Sequence, residues 1–137
     1  MIRGQMKKLV ISGSSKLQKE FLKCVKYFKD KYDVVDYPVP IIGDFEKGYP
    51  DAHIDFYKKL SQADALLLLN MDKGEVKGYI GPSAFGELCI GIYLNVVEKR
   101  GLNIYIYQLP DKNVSCYDEI VRFVKLGWIK VFDKKIV

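Results

Sequence analysis

Two spacings of apolar residues alternate along the chain. The runs KKLVISG, YDVVDY, ADALLLLN, LNIYIYQL and WIKVF are apolar continuously or at every second residue, the pattern of strands. Between them apolar residues return every three or four positions, as on one side of a helix. In SKLQKEFLKCVKYFKDK, Leu17, Phe21, Val25 and Phe28 form such a stripe, and Lys16, Lys19, Lys23 and Lys26 lie on another side. DAHIDFYKKLSQ predicts a second helix, with Asp51 as its cap. A third opens at Pro82 and stops at Gly101, with proline just inside the start and glycine beyond the end. SCYDEIVRFVKL predicts the fourth.

Strand and helix in strict alternation predict right-handed crossovers and a parallel sheet. ADALLLLN lacks polar alternation, as a strand covered on both faces does. The expected fold is therefore α/β: a three-layer, flavodoxin-like sandwich with five parallel strands in the order 2-1-3-4-5 and helices on both faces. The whole chain, residues 1–137, reads as one domain.

Composition narrows the function classes. With 49% hydrophobic and 28% charged residues the chain can build a core, and its longest apolar runs are too short to span a bilayer. MIRGQMKKLVISG lacks the hydrophobic stretch of a signal peptide, so a cytoplasmic protein with no membrane partner is expected. Cys24, Cys89 and Cys116 form no CxxC pair and read as buried or bystander thiols. With His53 as the single histidine, neither a metal nor another cofactor is expected. His53 reads as a surface residue of the second helix, a pocket-facing orientation being the alternative. The net charge is +5, and residues 1–31 alone carry nine Lys or Arg against two Asp or Glu. The lysine side of the first helix is a solvated face or an attractor of anions. No nucleic-acid-binding signature accompanies it, and nucleic acid is not the expected partner.

In open parallel sheets ligands bind at the carboxyl ends of the strands, where strand order reverses, here between the first and third strands. SGSS follows the first, bringing Ser12, Gly13, Ser14 and Ser15 to the start of a helix, where free N–H groups and hydroxyls favour an anion. NMDKGEVKGYIGPS follows the third and is long for such a connection. It offers Asn70, Asp72, Lys73, Tyr79 and Ser83 as polar contacts, and Gly81 as a point of close approach. In GPSAFGELCIGIYLN the acid Glu87 follows this loop among small and apolar neighbours that would desolvate it and leave room for a planar or sugar-like ligand. Glu87, Gly91, Asn95 and Glu98 also keep helical spacing and could form a narrow solvent stripe.

The segment ADALLLLNMDKGEVKGYIGPSAFGELCIGIYL resembles the nucleoside 2-deoxyribosyltransferase-like family, with LVISGSS and IYIYQLPD extending the resemblance to most of the chain. It implies that Glu87 is the nucleophile, that Asp72 contacts the nucleobase, and that Gly13 and Ser14 serve the sugar or phosphate. It further implies a nucleoside or nucleotide substrate and a homo-oligomer, most simply a dimer. A carboxylate beneath an anomeric carbon stabilises an oxocarbenium-like state or traps it as an ester. Asp72 and Tyr79 are the candidates for protonating the departing base. The expected activity is thus cleavage or transfer at the N-glycosidic bond of nucleosides, deoxynucleosides or their 5′-monophosphates. The alternative is a non-catalytic nucleotide sensor or interaction domain. It draws on the Gly-Pro-Ser-Ala turn, where the family more often carries threonine or asparagine.

Overall fold

The computed structural model describes residues 6–137. Strands β1 (Lys7–Ser12), β2 (Tyr32–Asp36), β3 (Ala65–Leu68), β4 (Asn103–Ile106) and β5 (Lys130–Val131) alternate with helices α1 (Gln18–Phe28), α2 (Phe45–Ser61), α3 (Pro82–Val96) and α4 (Tyr117–Lys125). Every strand pair is parallel and the order is 2-1-3-4-5, as the alternation predicts.

The period-two alternation of strand side chains divides the core between two faces of the sheet. Val10, Leu66, Leu68, Ile104 and Ile106 pack on one face with Phe56 and Leu60 of α2, Leu88 of α3 and Ile120 of α4. Leu9, Ile11, Ala65 and Leu67 pack on the other with Phe21, Cys24 and Phe28 of α1. Every residue of β3 is buried, which explains its unbroken leucine run. On the α1 face, Phe132 and Ile136 of the C-terminal segment pack into the same cluster. Tyr107 Oη accepts hydrogen bonds from the main-chain N–H of Ile136 at 3.0 Å and Val137 at 3.3 Å. No helix of the described residues is long and apolar enough to cross a membrane.

Two helix boundaries correct the reading from sequence. Asp51 is not a cap: α2 begins at Phe45, and the carboxylate of Asp44 accepts from the N–H groups of Glu46 and Lys47. Pro50 lies inside the helix in its second turn, where it lacks the N–H that would bond to the Glu46 carbonyl. Helix α3 does open at Pro82, but it ends at Val96, and Gly101 (φ +72°) turns the chain five residues later, just before β4. The lysines of α1 are exposed opposite the buried Phe21, Cys24 and Phe28, as the stripe predicts.

Candidate active site

Ser12 ends β1 on the same face as Val10, two residues before it, and so points at α3. Its hydroxyl donates to Glu87 Oε1 at 2.6 Å across the sheet–helix interface. Glu87 is 8% exposed, and Gly91 one turn later is buried against Leu66 and Ile104, so no solvent stripe runs along this part of α3. Burial raises the carboxyl of Glu87 above its ordinary range; the Ser12 hydrogen bond and the charge of His53 pull it down, and Asp36 pushes it up. The result is a desolvated acid held in place by one hydroxyl.

Glu87 lines a cavity of about 410 Å³ between the carboxyl end of β2 and helix α2. Its walls are aromatic. Phe45, Tyr49 and His53 line it at four-residue spacing along α2, and Tyr57, outside the cavity, continues the row, with ring centroids 5.5, 3.8 and 6.0 Å apart. The imidazole lies nearly parallel to the Tyr49 ring, at 27°. Its Nδ1 sits 3.0 Å from the Tyr49 carbonyl and its Nε2 3.3 Å from Ser83 Oγ. This corrects the surface placement of His53, which faces the cavity that holds Glu87. Asp36 and Asp55 line the same cavity and share Lys59, whose Nζ is 3.9 Å from Asp36 and 2.8 Å from Asp55.

A second cavity, of about 460 Å³, opens on the other side of the SGSS loop over the end of β3. Lys16, Lys73, Asp72, Tyr79 and Gly81 line it, with Lys73 Nζ 4.6 Å from the centre of the Tyr79 ring. Gly13, Ser14 and Ser83 belong to both cavities, which therefore meet beside α3, one turn before Glu87. Gly13 stands where side chains are excluded: at φ +154° a Cβ would lie 3.1 Å from the Leu69 carbonyl. Ser15 lines the aromatic cavity only.

The long loop after β3 is pinned from beneath. Asn70 is buried and lines neither cavity. Its amide nitrogen donates to the carbonyls of Gly78 at 3.1 Å and Gln108 at 2.7 Å. Its oxygen accepts from the N–H groups of Tyr107 and Gln108. Asp72 takes the Gly78 N–H at 2.9 Å and Gln108 Nε2 at 3.0 Å through one oxygen, which ties that carboxylate to the loop. Gly78, at φ +62°, approaches the Leu109 carbonyl so closely that a Cβ would be 2.9 Å away.

All three cysteines are free; burial and the nearby Glu20 push the Cys24 thiol up to about 11, and burial raises Cys89 and Cys116 as well. None lines either cavity. Sequence alone places Ser12 in the anion-favouring loop but does not show its bond to Glu87, and it leaves the pocket-facing orientation of His53 as the alternative because that orientation depends on where α2 begins. In comparisons with known proteins, no family model matches the chain and no curated protein was found that matches it.

Proposed function

We propose that this protein cleaves or transfers at the N-glycosidic bond of nucleosides, deoxynucleosides or their 5′-monophosphates, with Glu87 as nucleophile. One observation carries the reading. A buried carboxylate, fixed through Oε1 by Ser12, lines a cavity at the carboxyl edge of a parallel sheet, beside the point between β1 and β3 where strand order reverses. Oε2 remains for attack on an anomeric carbon. The aromatic cavity suits a planar base, and the neighbouring one, with Lys16, Lys73 and the hydroxyls of Ser14 and Ser83, suits a sugar bearing a phosphate. The resemblance to the nucleoside 2-deoxyribosyltransferase-like family points the same way.

Base release from a panel of nucleosides, deoxynucleosides and 5′-monophosphates, with and without an acceptor base, tests this. Glu87→Ala is expected to lower release by at least about 1000-fold. Acceptor-dependent consumption would mark a transferase and acceptor-independent release a hydrolase. The tethering of Asp72 to its loop favours one other reading, a nucleotide sensor. Tight nucleotide binding by the native protein with no base released would establish it.

A further inference from the structure

We propose that His53 is the group that hands a proton to the departing base, in place of Asp72 and Tyr79. The inference rests on the glycosidic reading of Glu87 and goes beyond it by assigning the acid. A carbonyl can only accept, so Nδ1 carries a proton and donates it to Tyr49 O. In the neutral ring Nε2 then accepts from the Ser83 hydroxyl; a second proton turns Nε2 into a donor aimed at the place where the two cavities meet. The carboxylates that line its cavity are Glu87 of α3, Asp36 of β2 and Asp55 of α2, the last two paired with Lys59. Tyr49 and Tyr57, the other titratable neighbours, flank the ring by stacking and by an edge.

The competing donors sit less well. Asp72 lines the other cavity and one of its oxygens is committed to Gly78 and Gln108. Tyr79 also lines that cavity, under the ammonium of Lys73. His53 shares its cavity with Glu87 and with the aromatic wall on which a base would stack. In the step itself, Oε2 of Glu87 forms a bond to the anomeric carbon. The C–N bond breaks with its electron pair going to the base, and a ring nitrogen of the base receives the Nε2 proton. Water, or an acceptor base in a transfer, then attacks the same carbon, the C–Oε2 bond breaks with its electron pair returning to the carboxylate, and the neutral His53 takes up the proton that the attacking group loses.

The test compares a natural nucleoside or its 5′-monophosphate with a nitrophenyl deoxyriboside carrying the same sugar and phosphate, because nitrophenolate leaves without being protonated. His53→Gln is expected to slow base release by about 100-fold or more and to change nitrophenolate release by less than about threefold. Glu87→Gln is expected to lose both. On the native protein alone, the base-release profile should carry an alkaline limb that the nitrophenyl substrate does not show, which keeps the test open should His53→Gln fail to fold. Equal slowing of both substrates by the variant, or the same alkaline limb with both, overturns the role of His53 while leaving Glu87 in place. Release of neither leaving group by the native protein overturns the glycosidic reading, and this assignment with it.

Discussion

Ser12 and Glu87 form the unit on which the proposed chemistry turns, and the hydroxyl's contribution has a definite sign. Its hydrogen bond favours the ionised carboxylate against the burial that opposes it. Ser12→Ala should raise the carboxyl further and move the acid limb of base release to higher pH. Stability should respond in the same sense. A carboxyl raised in the folded state contributes stability below its unfolded value and loses it as pH climbs through the folded one. The variant is therefore expected to be less stable than the native protein at neutral pH, by about 1–3 kcal/mol, with the difference shrinking once the carboxyl is protonated. Denaturant midpoints measured across pH would show this, and a pH-independent difference would count against it.

At the scale of the element, α3 matters most, because it carries Glu87 and lies directly on the sheet. Its distance from the strands is set by Gly91: a Cβ there would meet Leu66 Cδ2 at 3.1 Å and Ile104 Cδ1 at 3.3 Å. Gly91→Val should cost about 1–3 kcal/mol and reduce base release as the helix is lifted from β1. Gly86→Ala, with nothing within 4 Å of the added carbon, should stabilise the same helix by about 0.5–1 kcal/mol. Equal midpoints for the two variants would refute this account of α3. The existence of this helix was legible from Pro82 and the apolar spacing that follows. The start of α2 was not, because Pro50 reads as a breaker and the capping carboxylate of Asp44 lies six residues before it. That misplaced start hid the aromatic ladder from Phe45 to Tyr57, and with it the inward side of His53. Asn70 was legible as a polar residue at a strand end, but nothing local shows that four main-chain groups consume it.

At the scale of the molecule, the alternation of spacings was enough for the topology, since crossover handedness leaves few other arrangements for five strands. The site was legible only in part: the SGSS loop, Tyr79, Gly81, Ser83 and Glu87 do converge on two adjoining cavities, but which cavity each enters depends on packing over long sequence separations. We propose that the dimer implied by the resemblance forms through the outer surface. Val39 and Phe45 at the rim of the aromatic cavity and Ile42 next to it are 61%, 55% and 97% exposed, an apolar patch of the kind that self-association covers. Sedimentation across a concentration series should show a dimer that Ile42→Asp weakens, and a monomer at every concentration would remove the proposal.

The bond between Ser12 and Glu87 joins residues 75 positions apart. It exists because β1 lies beside β3 and α3 crosses behind them, and it belongs to no local motif. Drift could therefore rewrite every turn around the cavities and leave the pair standing. Kinship with proteins of the proposed chemistry would then persist in the placement of two side chains after it had faded from the order of residues.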